Sequence, residues 1–315
     1  MSALHHRAYF LVGPTAAGKT VVAQRLAELR HADILSADSM LVYRGMDIGT
    51  AKPSIAERNG VRYWGVDLAD PSESFNAARF MEEARRCFEA ASTHGNPVIV
   101  AGGTGLYVKA LLQGLDELPA IPEGSRGRWQ TLLEAEGVDG LQKTLRVRNP
   151  RWFESLADRA NSRRLIRALE LIDAGCVEPP RSWVDPRPEA VITGLEVPRD
   201  ERRSRIGTRV RAMYVGGLLQ EARALLDRGW DPSGTAAQAI GYAEAIACLK
   251  GTLTVDQAME ETARRTRQLA KRQMTWFRHQ AAVSWIQAPS SLSVDHLAAQ
   301  VASDWDCHGP QPVCV

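Results

Sequence analysis

The sequence predicts an α/β protein with a P-loop NTPase-like parallel sheet flanked by helices and an inserted all-helical domain. Three observations predict it. An apolar run at 8–12 ends in a glycine-rich loop that is followed by a helical pattern, and short apolar segments then alternate with amphipathic stretches. Proline-rich junctions bracket residues 125–175, which show only helical periodicity.

The first half of the chain alternates strands and helices. AYFLV (8–12) is the first strand, and VVAQRLAEL has the spacing of the first helix. ADILSAD (32–38) predicts a second strand with polar residues at its carboxyl end, and a helix is predicted over 75–93. VIVA then forms another buried strand before a glycine turn. Ligands are therefore expected at the carboxyl ends of these strands.

The second half is predominantly helical. AVITGLEV (190–197) returns to a strand pattern, and helices dominate from 200 to 285. The predicted domains are a P-loop-like catalytic core over 1–115 and 190–290, a helical insertion domain over 116–189, and a partly disordered C-terminal tail over 291–315.

Composition places the chain among intracellular globular proteins. Its 315 residues carry a net charge of +2, ordinary apolar content and five scattered cysteines without a paired motif. No stretch approaches the roughly 18 apolar residues of a membrane span, so the protein is expected to be cytoplasmic and without membrane contact. Basic segments at 199–211 and 263–278 suggest a patch for a polyanion, although solvated helix faces explain each of them equally.

A complete phosphate-binding loop follows the first strand. Its glycines allow backbone N–H groups to form an anion site at a helix N-terminus. Lys19 adds a positive charge for the terminal phosphates, and the Thr20 hydroxyl is placed to bind Mg²⁺. The loop specifies a polyphosphate without specifying adenine, and VIVA ends in glycines where a nucleotide-hydrolysing motor carries an acid. The predicted phosphate-binding residues are Gly13, Pro14, Thr15, Ala16, Ala17, Gly18, Lys19 and Thr20.

Several longer motifs carry a family resemblance. SADSMLVYRGMDIGTAKP (36–53), AGGTGLY, RSRIGTRVRAM, QAIGYAEA and TRQLAKRQMTWFR occur in order, and over residues 8–280 the chain resembles the bacterial tRNA dimethylallyltransferases. The resemblance implies transfer of a dimethylallyl group from dimethylallyl diphosphate to N6 of adenosine 37 in the anticodon stem-loop of tRNAs that read UNN codons. The products are N6-dimethylallyladenosine and diphosphate. The loop then holds a diphosphate leaving group, with Mg²⁺, and the enzyme is expected to be a monomer.

The resemblance also assigns catalytic residues. Asp38 lies at the carboxyl end of its predicted strand and suits the proton acceptor for the adenine amine, with orientation of Thr20 or Mg²⁺ as its alternative role. Thr104 follows the next strand, where its hydroxyl can bind adenine or a phosphate oxygen. Arg209 matches the family arginine that reaches the diphosphate, whereas Arg205, one helical turn earlier, fits a solvated face equally well.

RNA contacts are expected at three places: around Asp38 and Thr104, in the helical insertion, and at 238–242. The target base lies in a stacked loop, so the enzyme must extrude it into a pocket. Leu41 matches a family position that carries Gln or Leu. The residues matched to tRNA contact are Asp38, Ser39, Met40, Leu41, Thr104, Arg126, Arg163, Arg164, Leu165, Ile166, Arg167, Gln238, Gly241 and Tyr242.

Three other functions share the phosphate loop: a small-metabolite kinase, a non-enzymatic RNA-binding regulator, and an isopentenyltransferase acting on free AMP. A kinase requires ATP, and a regulator binds tRNA without turnover. The AMP enzyme needs no basic helical insertion, so the arginines within 125–175 count against it.

Overall fold

The computed structural model describes residues 6–180 and 189–315. Among these, residues 6–114 and 189–315 form one compact unit, and residues 115–180 form a second. The first unit is an α/β structure and the second is helical, which confirms the predicted fold class. The proline-rich junction expected at 178–189 lies mostly outside the described residues.

A single seven-stranded sheet organises the larger unit. Six strands are parallel in the order β3-β2-β4-β1-β5-β6, and β7 pairs with β1 in the antiparallel direction. Strand β1 lies between β4 and β5, so the phosphate loop emerges at the middle of the sheet. The strands are β1 (Arg7–Val12), β2 (Asp33–Ala37), β3 (Tyr63–Trp64), β4 (Val98–Gly102), β5 (Val191–Glu196), β6 (Ala282–Gln287) and β7 (Gln311–Pro312).

Helices cover both faces of this sheet. In the larger unit they are α1 (Lys19–Arg30), α2 (Ile55–Arg58), α3 (Ala77–His94), α4 (Gly105–Gln113), α8 (Arg199–Val215), α9 (Leu218–Asp227), α10 (Tyr242–Leu249), α11 (Val255–Gln280) and α12 (Val294–His308), with a short 3₁₀ turn at Ala236–Gln238. Helices α1 and α12 contribute to the apolar core on one face, and α3, α4 and α8–α11 contribute to the core on the other. This two-sided burial explains why the central strands are almost entirely apolar.

The smaller unit has its own core. Its helices are α5 (Ser125–Arg148), α6 (Pro150–Ser155) and α7 (Ser162–Asp173). Trp152, Leu165 and Leu169 are fully buried at its centre. Asp173 accepts hydrogen bonds from Ser125, Arg128, Trp129 and Arg148. Burial opposes ionisation of this carboxyl group, but these donors outweigh it and lower the pKa of Asp173 to about 2.

Two predictions for the C-terminal part were wrong. Residues 282–285, the end of the region where helices were expected to dominate, belong to β6, which pairs with β5. The tail expected to be partly disordered forms α12 and β7. Helix α12 packs Leu297, Val301 and Trp305 into the core, and the Trp305 indole donates to the Phe10 carbonyl at 3.1 Å. This burial offsets the entropy cost of ordering the tail.

Candidate active site

The phosphate loop has the backbone geometry its sequence predicts. A Cβ atom on Gly13 would lie 2.5 Å from the Leu195 carbonyl oxygen of β5, so only glycine fits beside that strand. Gly18 has a φ of 86° and immediately precedes α1. The left-handed conformation turns the chain so that the first amides of α1 face the loop. The result is an anion site at a helix N-terminus.

Lys19 is the main cation of this loop. Its ammonium donates a hydrogen bond to the Pro14 carbonyl at 2.7 Å. Burial lowers the pKa of Lys19 from its ordinary 10.5 to about 8; the negative charge of Asp38 opposes that shift and Arg209 adds to it. An anionic ligand favours the protonated form, so the loop is suited to a ligand that brings negative charge to the lysine.

Gln273 of α11, which no sequence pattern singled out, holds the phosphate loop through its side-chain amide. Its Oε1 accepts from the Thr15 N–H at 2.8 Å, and its Nε2 donates to the Gly103 carbonyl at 3.1 Å. A Cβ on Gly103 would lie 2.4 Å from Nε2, which explains that glycine of the AGGTG turn. One side chain therefore connects the phosphate loop to the turn after β4.

Asp38 and Thr104 follow neighbouring strands. Ala37 and Gly102 are paired at the ends of β2 and β4. The Ser39 N–H donates to the Thr104 hydroxyl at 3.0 Å, and the Asp38 carboxylate accepts from the Met40 N–H at 2.9 Å. These contacts fix the chain after β2 and leave the second Asp38 oxygen without a hydrogen-bond partner among the described residues.

The two arginines of α8 have different contacts. Arg205 donates to Glu201, to the Ala288 carbonyl and to Ser290, so it ties α8 to the chain after β6. Arg209, one turn later, donates to the Thr50 carbonyl at 3.1 Å. Burial lowers the pKa of Arg209, and the charge of Asp38 opposes the shift. Arg209 is therefore the partly buried cation that the structure holds beside the site.

One cavity of about 1070 Å³ brings these groups together. Lys19, Thr20, Asp38 and Arg209 all line it, as do Leu41 and Gln273. Thr104, Ser39 and Met40 are not part of its lining, although their hydrogen bonds hold the segment that carries Asp38. The cations Lys19 and Arg209 and the carboxylate of Asp38, all in one partly enclosed space, suit an anionic leaving group next to a proton acceptor.

The lining also fits a magnesium ion held chiefly by a phosphate ligand. Mg²⁺ keeps several waters and binds phosphates together with one or two protein oxygens. Both the Thr20 hydroxyl and the Asp38 carboxylate face the cavity. Within residues 6–180 and 189–315 there is no cluster of three or more His, Cys, Asp or Glu that could bind a metal, so a site made of protein ligands alone is not found there.

The loop at 46–52 forms the wall of the cavity next to Arg209. Lys52, which is buried, donates to the Tyr43 carbonyl at 2.6 Å and forms ion pairs with Asp47 at 2.7 Å and Asp67 at 2.6 Å. Glu221 of α9 accepts hydrogen bonds from the Asp47, Ile48 and Gly49 N–H groups of this loop, and no sequence motif pointed to it. The loop is therefore held from both sides.

The predicted RNA contacts around 238–242 are only partly accessible. Gln238 is exposed at the end of the 3₁₀ turn. Gly241 is buried, and Tyr242 is fully buried with its hydroxyl donating to Glu221. Neither Gly241 nor Tyr242 presents surface to a ligand in this structure, and the direct tRNA contact expected of them stays a prediction. Their positions indicate a structural role.

In the helical unit, too, some of the residues expected to contact RNA are exposed and others are buried. Arg163 and Arg164 are exposed, and neither forms an ion pair with another described residue. Arg126 and Arg167 are also accessible, but both contact the buried carboxylate of Glu170, at 3.6 and 3.3 Å. Leu165 and Ile166, also expected to contact tRNA, both belong to the apolar core of this unit, and their contact with tRNA stays a prediction.

Curated relatives match nearly the whole chain. This chain is 41% identical over 286 residues to tRNA dimethylallyltransferase 2 of Syntrophus aciditrophicus (strain SB), and the match covers 89% of this chain and 92% of the relative. It is 37% identical over 302 residues to the tRNA dimethylallyltransferase of Kineococcus radiotolerans, covering 92% and 94%. No described helix is both long and apolar enough to span a bilayer.

Solved structures and a family model agree with these relatives. The crystal structure of a tRNA isopentenylpyrophosphate transferase from Bacillus halodurans is 35% identical with a TM-score of 0.71, covering 96% of each chain. A eukaryotic dimethylallyltransferase acting on tRNA, 23% identical, shares the fold with a TM-score of 0.77, covering 98% of this chain and 81% of that one. The family model described as IPP transferase matches residues 41–280, which is more than half of the chain. The chain therefore belongs to the IPP transferase family.

Proposed function

We propose that this protein transfers the dimethylallyl group of dimethylallyl diphosphate to N6 of adenosine 37 in tRNAs that read UNN codons. The products are N6-dimethylallyladenosine and diphosphate. The observation that carries the proposal is the shared cavity, in which Lys19 and Arg209 face the same space as the Asp38 carboxylate. In this account the enzyme acts as a cytoplasmic monomer.

The cations stabilise the leaving group. As the bond between the allylic carbon and oxygen breaks, its electron pair stays with the diphosphate, whose negative charge increases. Lys19 and the N-terminal amides of α1 offer positive charge to those oxygens, and Arg209 approaches from α8. Groups that are fixed before the reaction stabilise such charge without reorganising during it.

Asp38 accepts the proton. The N6 amine of adenine is a weak nucleophile because its lone pair is delocalised into the ring. As its nitrogen forms the new bond to the allylic carbon, the amine must lose one proton, and the Asp38 carboxylate is placed to take it. Thr104, hydrogen-bonded to the Ser39 amide, keeps the segment after β2 in place.

The oxygen atoms of Thr20 and Asp38 support the binding of Mg²⁺ next to the diphosphate of the substrate. When bound, the ion supplies further positive charge to the diphosphate, with the Thr20 hydroxyl as its protein ligand and Asp38 as an alternative oxygen nearby. Such oxygen ligands suit a hard cation, which would bind the protein oxygen and the substrate phosphates together.

The helical unit supplies cations for RNA. Arg163 and Arg164 extend from α7 into solvent, where they can contact the tRNA backbone. Arg126 and Arg167 assist them while they remain paired with Glu170. Ser39, Met40 and Leu41 follow Asp38 directly, and Gln238 is exposed on the 3₁₀ turn. These four residues are proposed to contact the extruded nucleotide.

A transfer assay tests the proposal. The protein is incubated with Mg²⁺, labelled dimethylallyl diphosphate and an unmodified tRNA transcript that has adenosine at positions 36 and 37. A transcript with guanosine at position 37 serves as the control. The proposal predicts label in the first tRNA only, with or without ATP. Phosphoryl transfer from ATP without prenylation would favour the kinase alternative, and tRNA binding without turnover would favour a regulator.

A further inference from the structure

The Glu221 carboxylate lies among four hydrogen-bond donors. It accepts from the backbone N–H groups of Asp47 at 2.9 Å, Ile48 at 2.9 Å and Gly49 at 3.2 Å, and from the Tyr242 hydroxyl. Three successive amides converging on one carboxylate form an anion site that is filled by the protein's own side chain. Since Glu221 belongs to α9, this contact fixes the loop at 46–52 to a helix far away in the sequence.

Tyr242 completes the contact from α10. Its ring occupies the space beside Gly49, where a Cβ would lie 2.4 Å from the ring. Burial, together with the charge of Glu221, raises the pKa of the Tyr242 phenol, so the hydroxyl stays protonated and remains a donor. The tyrosine therefore both packs against the loop and orients the carboxylate that holds it.

The same loop carries the acceptor for Arg209. Thr50 follows Gly49 directly, and its carbonyl accepts from the Arg209 guanidinium at 3.1 Å. The Thr50 hydroxyl donates to the Met46 carbonyl at 2.6 Å, which closes the loop on itself. A shift of the amides at 47–49 must therefore move the Thr50 carbonyl and change the orientation of Arg209.

We infer that Glu221, supported by Tyr242, is a positioning residue for diphosphate binding: it fixes the loop at 46–52 and thereby aims Arg209 into the cavity. Neither Glu221 nor Tyr242 lines the cavity, so they act through Arg209 and do not touch the substrate. The inference rests on the proposed function, because it takes the diphosphate as the ligand of Arg209.

Calorimetric measurement of inorganic diphosphate binding in the presence of Mg²⁺ tests the inference about Glu221 separately from the proposed function. The variants are Glu221→Gln, Arg209→Gln, the double variant and Tyr242→Phe. Glu260→Gln is the matched control, because Glu260 is exposed and has no partner among the described residues. We expect Glu221→Gln to weaken diphosphate binding about tenfold, as the loss of a charged hydrogen-bond acceptor would. Tyr242→Phe should have a smaller effect in the same direction, and Glu260→Gln none.

Coupling distinguishes positioning from general stabilisation. If Glu221 acts through Arg209, the double variant should bind diphosphate no more weakly than Arg209→Gln alone, and tRNA affinity should not change. Wild-type affinity in both Glu221→Gln and Tyr242→Phe, or additive losses in the double variant, would overturn the inference and leave the proposed function intact. A wild-type protein that does not bind diphosphate would overturn both.

Discussion

The Gln273 side chain accepts a hydrogen bond from the Thr15 backbone N–H at 2.8 Å, across 258 positions of sequence. The side-chain N–H of Gln273 also donates a hydrogen bond to the Gly103 carbonyl at 3.1 Å. A residue near the end of α11 thus sets the distance between the phosphate loop and the turn that carries Thr104. The two halves of the catalytic unit are joined at the site itself.

Replacing Gln273 with Glu should weaken binding of the diphosphate substrate. The carboxylate can still accept from Thr15, but it cannot donate to Gly103 and it adds negative charge to the cavity lining. We expect KM for dimethylallyl diphosphate to rise about tenfold or more, with little change in tRNA affinity. Steady-state kinetics measure this, and Gln268→Glu, an exposed change on the same helix, is the control. Equal losses for the two variants would contradict the role of Gln273.

The lowered pKa of Lys19 predicts a pH dependence of diphosphate binding. Below its pKa of about 8 the lysine is protonated and attracts the ligand, and above it the positive charge is lost. The affinity of the free enzyme for diphosphate should therefore decrease as pH rises from about 7 to about 9. Calorimetry across this range measures the decrease.

The Lys19→Arg variant controls for ionisation of the ligand, because its guanidinium stays charged throughout. The affinity of this variant should change with pH only through ionisation of the diphosphate. The ratio of wild-type to variant affinity should therefore fall above a pH of about 8. A constant ratio would show that Lys19 does not titrate in this range.

Arg164 offers a test of the RNA side. It is exposed on α7 and has no ion-pair partner among the described residues, so neutralising it removes a cation without breaking a contact. We expect Arg164→Gln to reduce the slope of log affinity against log salt concentration by about 0.7–0.9, the value for one phosphate contact. Arg85→Gln, an exposed change on α3, should leave the slope unchanged. An identical slope in the wild type and Arg164→Gln would remove this arginine from the RNA contact.

Leu165 should behave as a core residue. It is fully buried among the helices of the smaller unit, so Leu165→Ala removes packed methyl groups and leaves a cavity. The free energy of unfolding of this unit is expected to fall by about 2–5 kcal/mol. Chemical denaturation followed by tryptophan fluorescence measures the loss, since Trp129 and Trp152 lie in the same core. Unchanged stability together with weaker tRNA binding would restore Leu165 as a direct RNA contact.

Local patterns were sufficient for much of the fold. The strand, glycine loop and helix from β1 to α1 depend on neighbouring residues, and the adjacent positions of Asp38 and Thr104 follow from parallel strand pairing. The strand β6 was missed because its six residues directly follow a long helix and acquire their strand character from pairing with β5.

The supporting side chains could not be predicted from the sequence. Gln273 and Glu221 contact loops 258 and about 170 positions away. Gln273 lies within the motif TRQLAKRQMTWFR, but the motif does not indicate which loop its side chain contacts, and Glu221 belongs to no recognisable motif. In the run Arg163 to Arg167, the helical period separates exposed arginines from buried Leu165 and Ile166, yet matching by position alone treated them as one RNA-binding set.

The central claim is that Asp38 takes the proton from the adenine amine while the phosphate loop holds the leaving group. The most direct test is the single-turnover rate of dimethylallyl transfer by Asp38→Asn with both substrates saturating. The asparagine oxygen can still accept from the Met40 N–H, so the local fold is retained while the proton acceptor is lost. Asp227→Asn, an exposed change on α9, is the matched control.

The account predicts that Asp38→Asn binds diphosphate and tRNA with nearly wild-type affinity but transfers the dimethylallyl group about 10²–10⁴ times more slowly. Transfer at the wild-type rate by Asp38→Asn would contradict it.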